Sequence, residues 1–556
     1  MEKFTRWLPF LQWPRLTAKL ARNEAMAALT VAFVMIPQSV AYANLAGMPL
    51  IAGLYATFLP PVISVLFSAS TRLSVGPSAL SSVLVGASLA GLAAPASPDW
   101  VMLAVWLSLM SGAIQLGFGA MQAAWVLNLV SSPILAGFSQ AAAILIVISQ
   151  LPALFGFHGS HFDLQALFNH PQFDATSLAF GVGSLATFIL ARKFIPRVPM
   201  VLLVLLASAF VSKWTGWTAP GRVVGELPAG FPSLYLPGWP AWDTLHAIAL
   251  PSIVLALVSS LEMAACAKIE SLHDSKRWDA SQDLVGQGVG KITSALCASF
   301  PTSTSFSRSA LTLYSGAQTG WATIFAGAFV ALVLLFFTPV LEHVPRAVLA
   351  AIVIAAVINL VKPATFLRIA RIDRVEAAIA FVTFAVTLAS SPRIYWGVLT
   401  GVVLGLAYFL YLRLHPRIIE VGLHPDGSLR DRHLWHLDLL GPNVYAMRMD
   451  GELDFASATS FEEALVDHLA VHPGTKHFVL FAQPINRIDT TGVEVFMQLR
   501  AMLERHGIML HVSGIKLPVE RVLEKAGALT PSLFLRMYRT DVEALRALKA
   551  LEELRT

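Results

Sequence analysis

The polar stretch at residues 299–310 carries the side chains of this sequence that are best suited to binding an ion. It contains Pro301, a run of hydroxyl groups and Arg308, with apolar sequence on both sides. An arginine at membrane depth costs about 3 kcal/mol or more, so it usually serves a function. Pro301 stops a helix, and a new helix can begin near Ser305, with residues 302–305 as candidate N-caps. The free N–H groups and the positive dipole end of this new helix, together with Arg308 one turn later, favour an anion. A kinked helix in which Arg308 pairs with a carboxylate is the structural alternative.

The composition is that of an integral membrane protein. Of the 556 residues, 56% are hydrophobic and only 13% are charged, against about 25% in soluble domains. About half of the charged residues lie after position 412, which predicts a transmembrane domain at 24–413 and a soluble C-terminal domain at 414–556. We interpret the basic segment 1–23 as a retained cytoplasmic N-terminus rather than a signal peptide. The net charge of +5 does not indicate a nucleic-acid partner.

The sequence predicts neither a metal site nor a cofactor. The two cysteines, Cys266 and Cys297, fall in apolar runs and suggest neither a disulfide framework nor a zinc site. Three histidines, at 158, 161 and 170, share one connection, but their spacing is loose, and solvated side chains are the better interpretation. No nucleophile with a nearby base stands out, so we do not expect an enzyme.

About fourteen membrane-spanning segments are predicted from apolar runs of roughly 20 residues. Twelve are clear, and two shorter ones, 78–93 and 304–314, each follow a proline. The twelve lie at 25–45, 51–68, 100–122, 133–155, 175–195, 199–215, 246–267, 280–298, 320–340, 345–361, 374–391 and 394–412. Basic residues precede the first segment and follow the even-numbered ones, which places both termini in the cytoplasm by the positive-inside rule.

The two short segments occupy the third and tenth positions, which match in two groups of seven. An odd number of spans inverts the second group relative to the first, and paired interrupted segments in inverted repeats indicate the midplane binding site of a transporter. Residues 75–79 would then be the partner of residues 300–302, with two half-helices meeting N-terminus to N-terminus.

Several motifs, in order along nearly the whole chain, resemble the sulfate permease (SulP) family. They lie at residues 36–43 (Ile-Pro-Gln-Ser-Val-Ala-Tyr-Ala), 53–55 (Gly-Leu-Tyr), 74–77 (Ser-Val-Gly-Pro), 279–288 (Asp-Ala-Ser-Gln-Asp-Leu-Val-Gly-Gln-Gly) and 306–310 (Phe-Ser-Arg-Ser-Ala). The resemblance implies an α-helical polytopic membrane protein with a seven-plus-seven inverted repeat, divided into core and gate subdomains as in uracil permeases. It also implies a homodimer in the inner membrane that moves a small anion (sulfate, bicarbonate or dicarboxylate) by an elevator-like motion, with no cofactor.

The resemblance also assigns the site. Gln38 and Tyr42 of the first span and Ser307 and Arg308 of the tenth match family binding residues, and backbone N–H groups near Ser78, Ala79, Ser305 and Phe306 would surround the anion. Taken alone, Gln38 is equally consistent with an interhelical hydrogen bond and Tyr42 with a core position.

Glu262, near the middle of the eighth span, matches a position linked to H⁺ or Na⁺ coupling in some bacterial members. A carboxylate that is readily protonated suits a proton symporter, whereas a permanent salt bridge to Arg308 would only stabilise the core; both interpretations stay open. Lys291 falls inside the ninth span, where a neutral residue is expected in this family. It could face an aqueous cavity, and the sequence assigns it no role.

The alternating strand and helix patterns of the C-terminal region predict a small α/β domain, which resembles STAS domains. Strands are predicted at 444–449, 477–482 and 508–513, and helices at 457–470, 491–506, 517–526 and 540–553. Asp489, Thr490 and Thr491 open the second helix, and we expect either a structural N-cap or a regulatory loop that takes a phosphate or a cytoplasmic protein partner.

Other functions remain open at this point. A gated anion channel or an anion exchanger would share these motifs. A nucleobase permease would have carboxylates at the binding half-helix, where this chain has Arg308. Besides the anion and its coupling ion, membrane lipid is the expected surrounding of the spans.

Overall fold

The computed structural model describes residues 8–156, 174–195, 198–218 and 221–553. The three histidines at 158, 161 and 170 lie outside these residues. Contacts divide the chain into two compact units, residues 1–405 and 406–556. Within the described residues of the membrane region we label fourteen helices: α1 Ala18–Leu45, α2 Ile51–Phe67, α3 Ala79–Leu89, α4 Pro98–Ala120, α5 Ser132–Phe155, α6 Ala175–Phe194, α7 Met200–Trp214, α8 Trp242–Asp274, α9 Ala280–Leu296, α10 Phe306–Tyr314, α11 Trp321–Leu341, α12 Arg346–Val357, α13 Arg374–Ala389 and α14 Tyr395–Leu414.

Each segment that the sequence predicts corresponds to one of these helices. Eight helices in the described part of the chain are long and apolar enough to cross a membrane by themselves, so the full number of crossings stays a prediction. The sequence missed two local features. The middle of α11 is a π-helical segment, Val333–Phe337, and a short helix with exposed arginines, Ala364–Ile372, lies between α12 and α13.

Several contacts between helices recur in the two groups of seven. Each helix of α1 to α7 corresponds to the helix seven numbers later, so that α4 corresponds to α11 and α2 to α9. The pair α4 and α9 has its counterpart in α11 and α2, and the pair α5 and α13 in α12 and α6. In the same way α1 packs against α10, while α8 packs against α3. This is the pattern expected of two copies of one seven-helix arrangement that interlock, and it brings α3 and α10 together at the centre.

Two short strands join the halves of this arrangement. Strand β1, Val75–Gly76, precedes α3, and strand β2, Ser303–Thr304, precedes α10. They pair antiparallel, with Val75 opposite Thr304 and Gly76 opposite Ser303. The sequence predicts residues 300–302 as the partner of residues 75–79, whereas the residues that pair with β1 are Ser303 and Thr304, further along the chain. Pro301 explains the shift, because it has no N–H group to donate to a ladder.

The second unit is an α/β domain, as the sequence predicts. Its strands are β3 Arg417–Leu423, β4 Leu429–Asp431, β5 Val444–Asp450, β6 His477–Phe481, β7 Met509–Ser513 and β8 Leu535–Tyr538, and its main helices are α15 Ala458–Val471, α16 Thr490–Arg505, α17 Leu517–Lys525 and α18 Asp541–Glu553. The six strands are ordered β4-β3-β5-β6-β7-β8 in the sheet, and the last four are parallel.

Both faces of this sheet are covered. Side chains from α15, α16 and α17 form the apolar core on one face, and Leu548 of α18 belongs to a smaller cluster with Val479 and Phe481. The sequence did not predict β3, β4 or β8. These strands lie at or next to the two edges of the sheet, where a strand shows less of the continuous apolar run that marks a buried parallel strand such as β6.

Candidate functional site

The strand pair holds the N-termini of α3 and α10 next to each other. Ser78 is the N-cap of α3, and its Oγ accepts a hydrogen bond from the Ser81 N–H. Ser305 occupies the N-cap position of α10, and its own N–H donates to the Ser74 carbonyl at 3.1 Å. The antiparallel pairing makes the two helices run away from one junction, so both positive dipole ends act on the same place.

Arg308 lies in the first turn of α10 and is fully buried. Its Nε donates to the Ser74 Oγ at 3.3 Å, while Nη1 and Nη2 have no hydrogen-bond partner among the described residues. A buried guanidinium that leaves its two terminal nitrogens unpaired is strongly destabilising unless an acceptor reaches them. The fork geometry of these donors matches a carboxylate or an oxyanion such as sulfate.

Gly76 makes room for this guanidinium. Its φ is +150°, and a Cβ added there would lie 3.3 Å from Arg308 Nη2. A larger side chain at position 76 would therefore need both a strained backbone and a displaced arginine.

Glu262 lies at the same junction but is held by serines. Its carboxylate accepts hydrogen bonds from the Ser303 Oγ at 2.5 Å and from the Ser78 Oγ at 3.1 Å. It therefore links α8 to the starts of both half-helices. Among the described residues no hydrogen bond or ion pair joins Glu262 to Arg308. The salt-bridge interpretation of this pair, left open by the sequence, is wrong for the conformation described here.

The other predicted binding residues lie in α1 and at the starts of α3 and α10. Gln38 and Tyr42 are both buried in α1, and Tyr42 is near enough to Arg308 and Glu262 to interact with them electrostatically. At the half-helix starts, Ser78 and Ser305 are buried, Ala79 is partly exposed, and Phe306 and Ser307 are exposed. The exposed positions show that the start of α10 faces an opening rather than a packed core.

A cavity of about 490 Å³ reaches Gln38. Its walls come from α1, α6, α7 and α12, and they are mainly apolar. Arg192 and Asn359 are polar lining residues of the same cavity. Gln38 thus lines this cavity, which the sequence had no means of showing.

Lys291 does not face a cavity, contrary to the suggestion from the sequence. It is fully buried in α9, and its Nζ donates to the Gln115 Oε1 at 2.8 Å and the Ser259 Oγ at 2.5 Å. Gln115 and Ser259 are site neighbours that sequence analysis missed, because they come from α4 and α8 and carry no motif.

In the C-terminal domain, Asp489 is the N-cap of α16, as one of the two interpretations predicts. Its Oδ1 accepts from the Gly492 N–H and its Oδ2 from the Phe455 N–H, both at 2.9 Å. A Cβ at Gly492 would meet the Leu453 carbonyl at 2.2 Å, so only glycine fits there. Thr490 and Thr491 are exposed, and a regulatory role for them stays a prediction. Groups of three or more His, Cys, Asp or Glu side chains able to hold a metal ion are absent from the described part of the chain.

Sequence comparison identifies the family. The membrane region matches the sulfate permease family over residues 22–383, and the C-terminal region matches the STAS domain over residues 441–544. The chain belongs to the sulfate permease family. This sulfate permease is 29% identical to a probable sulfate transporter of Mycobacterium tuberculosis, over 94% of each chain. It is also 28% identical to the chloroplastic sulfate transporter 4.1 of Arabidopsis thaliana, over 94% of this chain and 78% of the relative.

Solved structures share the fold of this sulfate permease. The murine anion transporter Slc26a9 in its inward-facing state superposes with a TM-score of 0.88 over 99% of this chain and 95% of the other, at 18% identity. The transmembrane domain of BicA, a cyanobacterial bicarbonate transporter, gives a TM-score of 0.60 over 70% of this chain and 98% of its own, at 21% identity. This sulfate permease is thus a multi-pass anion transporter with a C-terminal STAS domain, and not an enzyme.

Proposed function

We propose that the protein is a secondary active transporter of sulfate, coupled to an inward flow of H⁺ or Na⁺ through Glu262. The single observation that carries this proposal is the buried guanidinium of Arg308, whose terminal nitrogens have no protein partner within the described residues, at the meeting point of two helix N-termini. Sulfate is the substrate that the relatives' names suggest, and its tetrahedral oxygens suit several converging N–H donors.

In this proposal Arg308 and the backbone N–H groups at the starts of α3 and α10 hold the anion. Gln38 and Tyr42 close the side towards the cavity, and Ser307 lies at the opening. We infer that the anion would reach the site through the cavity that Gln38 lines, where the cationic Arg192 in the wall would attract anions. Since Arg192 belongs to a basic connection, the positive-inside rule assigns this route to the cytoplasmic side.

The division of the helices supports an elevator-like movement. Helices α1 to α4 and α8 to α11 contact each other extensively, and α5 to α7 pack with α12 to α14. The first set contains the whole anion site, so it could carry the anion past the second as one body. We further propose that the protein is a homodimer in the inner membrane with both termini in the cytoplasm. Its STAS domain would bind a cytoplasmic partner through the loop of Asp489, Thr490 and Thr491.

The test is uptake by purified protein in liposomes, with labelled sulfate, bicarbonate and dicarboxylate and an imposed H⁺ or Na⁺ gradient. We expect sulfate to accumulate against its gradient. Arg308→Ala should weaken sulfate binding at least about tenfold, because it removes charged hydrogen bonds in a dry site. Arg308→Lys should restore part of it, and Arg346→Ala, which changes an arginine outside the site, should behave as the wild type.

Two outcomes would contradict the proposal. Normal sulfate uptake by Arg308→Ala would remove Arg308 from the site. Sulfate currents without accumulation in either gradient would instead identify a gated channel, the second candidate from the sequence.

A further inference from the structure

Lys291 is a buried charge for which the proposed transport mechanism has no role. The side chain is fully buried, and α4 covers it so closely that a Cβ added at Gly112 would lie 2.9 Å from the Lys291 Cβ. Both hydrogen-bond acceptors of its Nζ, Gln115 and Ser259, are neutral. A buried ammonium without a counter-charge is strongly unfavourable, so the charge balance of its surroundings matters.

Among the described residues, Glu262 is an acidic group that acts electrostatically on Lys291. Ser259, which binds the ammonium, and Glu262 are three residues apart in α8, so they lie on one face of the helix. The ammonium and the carboxylate interact electrostatically. The serines at 78 and 303 connect the same carboxylate to both half-helices. Lys291 thus acts on the anion site through Glu262, without touching the anion itself.

The charges of the whole site determine which coupling ion it needs. Besides Lys291, the titratable groups that face Glu262 are Arg308 from α10, Tyr42 from α1 and Cys266 from its own helix. Counted with Lys291 and Arg308 protonated and with Tyr42 and Cys266 neutral, the site holds two cations and one carboxylate. A bound divalent anion leaves one negative charge in excess, and one proton on Glu262 removes it. Neutrality matters because an uncompensated charge is costly at membrane depth.

We propose that Lys291 is a built-in counter-ion that takes the place of a coupling metal cation, so that each sulfate crosses with one proton on Glu262 and without Na⁺. This inference rests on the proposed function and names its coupling ion. Without the ammonium, the site would need a second mobile cation to become neutral. With it, a sodium ion at Glu262 would be repelled by the positive charge of the ammonium and would compete with the serine hydroxyls for the carboxylate.

Labelled-sulfate uptake into liposomes, with the full-length protein, tests this inference. In the wild type an acid-outside gradient should drive accumulation, and a Na⁺ gradient at equal pH should change uptake by less than about twofold. Lys291→Gln should gain stimulation by Na⁺, and its pH of half-maximal uptake should rise by about one unit, because the ammonium no longer opposes the proton. Lys291→Arg, which keeps the charge, should retain the wild-type pH profile and its indifference to Na⁺.

Gln115→Met is the matched control for packing. It removes a neutral partner of the same ammonium but keeps the charge, so we expect a lower melting temperature with an unchanged pH profile and no response to Na⁺. Wild-type uptake driven by Na⁺, or a Lys291→Gln variant with the wild-type pH profile and no Na⁺ response, would overturn the inference.

A thermal double-mutant cycle tests the charge pair without any substrate, and also covers a poorly folding single variant. If Lys291 and Glu262 neutralise each other, Lys291→Gln combined with Glu262→Gln should melt at a higher temperature than the sum of the single effects predicts. Additive effects would contradict the pairing. A wild type that takes up no anion would refute the proposed function, while the cycle would still decide on the charge pair.

Discussion

Arg308 and Glu262 are buried, opposite charges at one junction that bind different partners. The guanidinium binds the Ser74 hydroxyl through Nε only, and the carboxylate binds the hydroxyls of Ser78 and Ser303. Had they paired directly, the carboxylate would occupy part of the guanidinium's donors and neutralise its charge, which would weaken its attraction for an anion. In the proposed mechanism, their separation by short hydroxyl side chains would leave one group available for the anion and the other for a cation.

Glu262→Gln tests the coupling role at the level of one residue. The amide resembles the protonated carboxyl group, so sulfate binding should survive while uptake no longer responds to an imposed pH gradient. Binding measured by calorimetry and uptake measured in liposomes separate the two effects. Continued accumulation of sulfate by this variant in response to inward proton flow would exclude Glu262 as the coupling residue.

His511 should make the stability of the STAS domain dependent on pH. It is buried in β7 between His477, with Nδ1 of His477 and Nε2 of His511 3.1 Å apart, and the Tyr538 hydroxyl, 3.0 Å from its Nδ1. Burial, with further contributions from His477 and Arg536, lowers the pKa of His511 from 6.5 to about 4. The folded domain therefore disfavours the charged imidazole, and its stabilising effect is complete above pH 6.5 and is lost as the pH falls towards 4.

At about 1.4 kcal/mol per pH unit, this difference in pKa corresponds to at most about 3.5 kcal/mol of unfolding free energy. Urea unfolding of a fragment from residue 415 onwards, at pH 7, 5.5 and 4.5, measures it. His511→Gln should flatten the dependence, whereas Tyr538→Phe, which keeps the imidazole, should retain most of it. Equal pH dependence in the wild type and His511→Gln would show that another group is responsible.

At the scale of elements, the decisive feature is the pairing of β1 with β2. Two residues in each strand suffice to fix two helix N-termini against each other, because backbone hydrogen bonds set their register. Each strand precedes its helix closely, so any disturbance of the pair moves the N–H groups that are proposed to hold the anion.

Gly76→Ala tests this arrangement. With a φ of +150° and Arg308 Nη2 3.3 Å from the added Cβ, the substitution should strain the backbone by about 1–3 kcal/mol and displace the guanidinium. We expect sulfate affinity to fall at least about tenfold. Gly117→Ala, where the added Cβ meets nothing within 4 Å, is the matched control and should bind sulfate normally. Normal affinity in Gly76→Ala would show that β1 does not position the site.

At the scale of the whole molecule, every predicted anion contact lies in the first compact unit. The second unit has its own sheet and its own apolar core, which is typical of a domain that folds independently. Truncation after residue 414 should therefore leave sulfate affinity within about twofold of the wild type and lower the rate, yield or stability instead. Calorimetry on the truncated protein, checked for folding by its melting curve, measures this. Loss of affinity with the fold intact would assign the STAS domain to the site.

The sequence by itself determined the class of protein and the positions of the helices, and it predicted Arg308 as a binding residue. Long apolar runs, prolines at the interrupted segments and the family motifs are local signals, and they do not depend on contacts between distant parts of the chain. Tertiary structure decided what depends on distant segments. The register of β1 with β2, the serine partners of Glu262 and the burial of Lys291 against α4 and α8 each join residues far apart in the chain. Lys291 shows the reason. Its sequence neighbours indicate only that it lies in an apolar helix, whereas its hydrogen-bond partners Gln115 and Ser259 come from helices that are brought to it by folding.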